Sequence, residues 1–220
     1  MTPTFGTLLL ASPALPVGGF SYSRGLETAV ERGWVTDAAA ARGWIEGLLE
    51  ASVMRLDGPL LLRLHRAFAA GDLGEVERWR AFTAATRETR ELAAESEAVG
   101  GALVRWMEAL ELGDAAARRA AQRCQLAAFA LAAGALGLDA GAALRAFAWS
   151  WLEAATAAAV KLVPLGQSDG QRILLAAGRR LEPLCARAET VDDASVGALT
   201  PGLALASAWH ETQYSRLFRS

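Results

Sequence analysis

Two cysteines, two histidines and a single lysine are all that this 220-residue chain offers of the side chains most used in metal, thiol and amine chemistry. Cys124 and Cys185 lie far apart among apolar or weakly polar neighbours, with no CxxC spacing. That excludes a disulfide-stapled secreted scaffold and a thiolate zinc site, and leaves two reduced thiols in or near a core. No HExxH is present, and His65 stands alone on a leucine-rich stretch, where it reads as a structural or surface side chain. An excess of positive charge is missing as well: 22 Lys and Arg against 24 Asp and Glu give a net charge of −2. A nucleic-acid binder draws its affinity largely from neutralised phosphates, so that class is set aside. Long apolar runs are lacking too. The stretch from Cys124 to Leu138 falls short of the ~18 apolar residues that span a bilayer and contains Gln125. The opening MTPTFGTLLLASPALPVGG has no basic start and carries three prolines, a poor signal peptide. The expectation is a soluble cytoplasmic protein with no membrane association.

Catalytic patterns are equally thin. Gly166-Gln-Ser-Asp-Gly-Gln171 lacks the Lys-Ser/Thr end of a phosphate-binding loop and any preceding strand, so it reads as a connection between helices. Asp192-Asp193 has no second acidic cluster with which to hold magnesium around a diphosphate. No Ser or Cys is matched with a histidine base and a third orienting group. The chain is expected not to be an enzyme.

What is present is helix. Hydrophobic residues make up 53% of the chain, which excludes disorder over most of its length. Thr36-Asp37 caps a stretch with Trp44, Ile45, Leu48 and Leu49 on one stripe; Asp57-Gly58-Pro59 stops it and starts another, ended at Gly71-Asp72. Residues 75–111 hold two Arg- and Glu-rich helices with Trp79, Phe82, Leu92, Val99, Leu103 and Trp106 as inward positions. Asp114 starts a long alanine-rich helix through Ala133, and Asp139 starts the next, to about Lys161. The small residues of these two favour close approach and make their hairpin the expected packing centre. Helices resume between Gly170 and Arg187 and again at Thr200-Pro201. Counting caps and breakers predicts an all-α, single-domain bundle of roughly nine to eleven helices over residues 1–220.

Three segments combine polarity with aromatic residues beyond what packing needs: Ser12 to Glu27, Trp149 to Glu153 with Lys161 to Gln167, and His210 to Ser220. Chain ends usually drift to small polar residues, yet residues 209–220 keep Trp209, Tyr214, Phe218, Arg216 and Arg219. Tyr, Trp and Arg dominate protein–protein hot spots. Two readings follow: the tail docks a partner, or it folds back on its own domain.

In SPALPVGGFSYSRGLE, in the Arg87-Glu-Thr-Arg-Glu-Leu92 and Glu95-Ser96 stretch, in WSWLE, in KLVPLGQ with GQR following, and in the closing LALASAWHETQYSRLFRS, the chain resembles the UreF family of urease accessory proteins. Gly19, Val99 and Trp209 depart from that pattern. The resemblance implies an all-α, non-catalytic protein, often a homodimer, that joins UreD (also called UreH) and the GTPase UreG. The assembly delivers nickel to apo-urease subunits, and the metal passes through it without a stably bound cofactor here. It also implies that the tail meets partners, which nominates His210, Glu211, Gln213, Tyr214, Arg216 and Arg219. Lys161 and Gln167 join them through KLVPLGQ, and Tyr22 and Glu27 through the first loop, where Phe20 and Leu26 are expected in the core. Lys161 also fits a plain surface lysine favoured by a helix C-terminus. His210 is expected to dock a partner; with no second ligand beside it in the sequence it makes a poor metal site, and no metal-binding residue is nominated. Two other classes stay open, a helical enzyme with scattered ligands and a bundle that senses a small ligand.

Overall fold

The structure, a computed structural model, describes residues 3–220, and no strand occurs among them. The helices are α1 (Pro3–Ala11), α2 (Leu26–Glu31), α3 (Ala38–Leu48), α4 (Gly58–Ala70), α5 (Leu73–Ala85), α6 (Arg90–Ala109), α7 (Ala115–Ala121), α8 (Gln125–Ala135), α9 (Ala140–Leu162), α10 (Gln167–Gly178), α11 (Leu181–Glu189) and α12 (Pro201–His210). A π-helical stretch, Leu49–Asp57, joins α3 to α4 without a break, so these twelve form eleven separate rods. No helix among the described residues is long and apolar enough to cross a membrane.

Side-chain caps set most of the starts. Asp37, Asp72, Asp114 and Asp139 each accept a backbone N–H from the first turn of the helix that follows, as does Thr89 for α6. α9 begins after Asp139 and ends beside Lys161, as predicted. The core centres on α8, buried on every side from Leu126 to Ala133. Its broadest packing is against α4 and α6, whereas α9 packs chiefly on α10 and α1, so the expected α8–α9 hairpin is not the main contact. Alanine all round lets neighbours approach α8 from every direction, not from one face.

Two further expectations give way to tertiary structure. The alanine-rich helix from Asp114 breaks at Gln122–Cys124, where Gln122 turns extended and Arg123 adopts φ 59°. The reason lies across the interface: a Cβ on Gly100 would stand 2.6 Å from the backbone N and C of Cys124, so α6 and this junction touch main chain to main chain. Asp57-Gly58-Pro59 does not end a helix either. Proline has no N–H and its ring crowds the carbonyl four residues back, here that of Arg55. The turn widens instead: the Gly58 N–H donates to the Val53 carbonyl, five residues back. The Arg55 carbonyl accepts from the Gly197 N–H at 3.3 Å. Both cysteines are free and buried, and burial pushes the Cys185 thiol up to about 11. His65 is buried and donates from Nε2 to the Leu138 carbonyl at 2.9 Å, a structural role.

Candidate functional site: the seat of the C-terminal tail

After α12 the chain has no further regular helix, yet its last ten residues are held closely. They lie over the loop before α2 and over the first turns of α2 and α6. Arg24 and Gly25 both have positive φ, 53° and 76°, which turns the loop sharply into α2. A Cβ on Gly25 would meet the Ala206 Cβ at 3.1 Å and the Ser207 N at 3.3 Å, so glycine also lets α12 close onto the loop. The Ser23 and Arg24 N–H groups and the Ser23 hydroxyl then all donate to the Ser220 carbonyl, at 2.7, 3.0 and 2.6 Å. The Arg219 N–H donates to the Ser21 carbonyl at 2.8 Å.

Three carboxylates organise the seat. Glu27, buried in the first turn of α2, accepts from the Leu217 N–H at 2.6 Å and the Phe218 N–H at 2.9 Å, and its Oε2 lies 3.2 Å from His210 Nε2. Glu91, in the first turn of α6, faces His210 Nδ1 at 2.7 Å with one oxygen and takes the Arg216 guanidinium at 2.8 Å with the other. Glu95, one turn on, pairs with Arg24 at 2.7 Å and accepts from the Ser220 hydroxyl at 3.2 Å. Acidic groups in first turns are favoured by the helix dipole. His210 is fully buried between two carboxylates, an arrangement that needs a hydrogen on each ring nitrogen or on one carboxyl. At the rim, Glu211 accepts from the Arg90 N–H and from its guanidinium at 2.7 and 3.0 Å, which holds the Glu211 carboxyl below the usual range.

These placements divide the residues nominated from sequence. His210, Glu27 and Tyr22 are buried, so none presents a side chain to a partner in this conformation. Gln213 is turned inward, accepting from the Thr28 hydroxyl at 2.9 Å and donating to the Ser215 carbonyl. Glu211 caps α6 and Arg216 is half-committed to Glu91. Tyr214 is fully exposed, Leu217 is 68% exposed, and the Arg219 side chain is exposed with no hydrogen bond or ion pair among the described residues. Lys161 reaches the tail, its Nζ 5.8 Å from the Phe218 ring centroid. Gln167 is exposed on the first turn of α10, and no described hydrogen bond brings it to the tail. Phe20, expected in the core, is 66% exposed, whereas Leu26 is buried as expected. Arg24, Arg90, Glu91 and Glu95 were not nominated from sequence. The signal for two of them was there: Glu91 and Glu95 are four apart, hence on one helix face.

Beside the seat lies an aromatic cluster. The Trp34 ring is 5.5 Å from Trp209 and 6.4 Å from Trp44, and the Arg32 guanidinium covers Trp209 at 3.7 Å. Among the described residues no three His, Cys, Asp or Glu side chains form a group suited to holding a metal ion.

The family model for UreF matches residues 35–178. Urease accessory protein UreF of Teredinibacter turnerae is 47% identical, with 96% of each chain covered. The UreF of Chromohalobacter salexigens is 43% identical over 98% of this chain and 94% of its own. That of an Azoarcus species is 46% identical over all of this chain and 97% of its own, so the likeness extends through the tail and its seat. With half of the chain or more matched by the family model and these full-length relatives beside it, the chain belongs to the UreF family of urease accessory proteins.

Proposed function

We propose that this chain is a non-catalytic factor in urease maturation that joins UreD (UreH) and the GTPase UreG in one assembly. There it couples GTP hydrolysis to nickel insertion into apo-urease. The observation that carries this reading is the tail: its backbone is fixed by buried carboxylates, while Tyr214, Leu217 and Arg219 are turned outward. A pre-ordered anchor costs less entropy on docking than a frayed one. Tyr214 supplies a flat amphipathic surface, and Arg219 can pair with a carboxylate bidentately, whereas all three Arg216 guanidinium nitrogens already donate within the tail and to Glu91.

In this reading His210, Glu27, Glu211 and Gln213 set the conformation of the tail, Lys161 and Gln167 extend the docking face, and Tyr22 supports the loop from within. Nickel is cargo of the assembly and is held by no residue of this chain as a resident cofactor. The protein works as a homodimer in the cytoplasm. The test is size-exclusion chromatography with light scattering, alone and with purified UreD and UreG. A ternary complex that is lost with Tyr214→Ala plus Arg219→Glu supports the reading; a chain that elutes alone in every mixture overturns it.

A further inference from the structure

His210 sits where three elements meet, and each brings a charge to it. From α2, Glu27 Oε2 lies 3.2 Å from Nε2, and from α6, Glu91 Oε2 lies 2.7 Å from Nδ1. From the tail, Arg216 pairs with the other Glu91 oxygen at 2.8 Å. The charged groups farther out are matched among themselves, Arg24 with Glu95 and Arg90 with Glu211. Lys161, reaching over from α9, lies against the Phe218 ring, and the Arg219 side chain is exposed. Inside the seat that leaves two carboxylates facing one guanidinium, with a fully buried imidazole between the carboxylates.

The hydrogen-bond roles locate what a neutral ring lacks. Both Glu27 oxygens accept backbone N–H groups, one from Leu217 and one from Phe218, which marks Glu27 as an ionised acceptor and makes His210 Nε2 the donor between them. A neutral imidazole has then spent its only hydrogen. Nδ1 would meet the Glu91 carboxylate lone pair to lone pair at 2.7 Å, away from water, and the contact would repel. A second proton turns the same contact into a charge-assisted hydrogen bond and brings the buried charges to two of each sign.

We propose that closing the tail onto its seat takes up one proton, carried on His210 Nδ1 against Glu91, and that the seat therefore opens as pH rises. An imidazole free in water has largely given up that proton at neutral pH. In neutral and alkaline solution the open tail thus binds one proton fewer than the closed one. Linkage fixes the sign: the proton's contribution is fully present in mildly acid solution and is lost as pH rises, with opening favoured by up to about tenfold per pH unit. The switch concerns the seat itself, so it stands or falls apart from what the tail meets, and its failure leaves the maturation reading untouched.

The test is amide exchange at Leu217 and Phe218 in the full chain, read by NMR as protection relative to the intrinsic rate, from about pH 6 to about pH 9. Protection there should fall at least about tenfold across the range while the amides of α8 keep theirs. Glu91→Gln is the matched variant. Its amide N–H can donate to a neutral Nδ1 while its oxygen still accepts from Arg216, so the tail should close without the extra proton. Protection in that variant should change by less than about threefold over the same range. The ring itself gives a second readout should Glu91→Gln fail to close: in isotope-labelled wild type near neutral pH, both His210 nitrogens should carry a hydrogen. Flat protection in the wild type, an undiminished slope in a closed Glu91→Gln, or an Nδ1 without hydrogen near neutral pH would each overturn the proposal.

Discussion

The centre of the molecule and the tail seat hold their chains in opposite ways. Around α8 the contacts are dry and made of alanine, leucine and backbone, with Gly100 set against the Cys124 main chain. At the seat ten residues without regular structure are fixed by Glu27, Glu91 and Glu95 acting on N–H groups, a guanidinium and an imidazole. Packing of the first kind is unforgiving of volume and indifferent to pH, because dense interiors relax only partly. Bonding of the second kind tolerates changes of shape and depends on charge. The difference assigns stability to one region and, on the proposed function, presentation of a surface to the other.

The sharpest way to break the comparison is to add volume at the centre. Gly100→Val should cost roughly 3 kcal/mol or more, at or above the upper end of overpacking penalties, since the new Cβ meets backbone and not a flexible side chain. Urea unfolding followed by circular dichroism measures it, and a loss below about 1 kcal/mol would show that the α6–α8 junction yields. Next in size is the seat's central acceptor. Glu27→Ala leaves the buried Phe218 N–H and the part-buried Leu217 N–H without their acceptor and takes one of two carboxylates from His210, about 1–3 kcal/mol by the cost of unmet buried groups. The loss should be local: amide exchange over residues 211–220 rises steeply while α8 keeps its protection.

How much of this was legible in sequence follows the same division. Helices defined by local caps, such as α9 after Asp139, were readable because an aspartate ahead of an apolar period is a complete local signal. The break at Gln122–Cys124 was not, since alanines favour continuing and only the approach of Gly100 forbids it. Pro59 misled for a related reason: it reads locally as a stop, and the widened turn that absorbs it leans on Gly197, more than a hundred residues away. The residue types of the tail marked it as more than a frayed end. Their directions were not legible, because His210 is buried by Glu27 and Glu91, which lie 183 and 119 positions from it in the chain.

Acid sharpens the contrast further. Hydrogen bonds from Arg90 hold the Glu211 carboxyl below its usual range. A group whose pKa is depressed by folding stabilises fully above its unfolded pKa, and that contribution is lost as pH falls through the folded value. Below the ordinary glutamate range, therefore, the Arg90–Glu211 contact should loosen before α8 does. Amide exchange at position 90 followed from neutral pH downward checks this, and Arg90→Ala, which removes the guanidinium but keeps the backbone donor, should shrink the dependence. Equal loss of protection in α8 over the same window would mean that seat and centre respond as one unit.

The smallest effect on stability is expected at the most exposed side chain, and there the comparison turns into function. Tyr214 has its whole side chain in solvent, so Tyr214→Ala removes no buried area and should change unfolding free energy by under about 0.5 kcal/mol. The tail backbone should stay in place, because it is held by Glu27, Ser23 and Arg24 and by no atom of the Tyr214 side chain. If the seat exists to present this ring, capture of UreD or UreG should nevertheless fall at least tenfold, as a central aromatic anchor worth about 2 kcal/mol or more would give. Pairing the two measurements separates the roles. Unchanged stability with lost capture makes Tyr214 an anchor, and unchanged stability with unchanged capture would move the docking face away from the tail, leaving the carboxylate seat as a structural clasp.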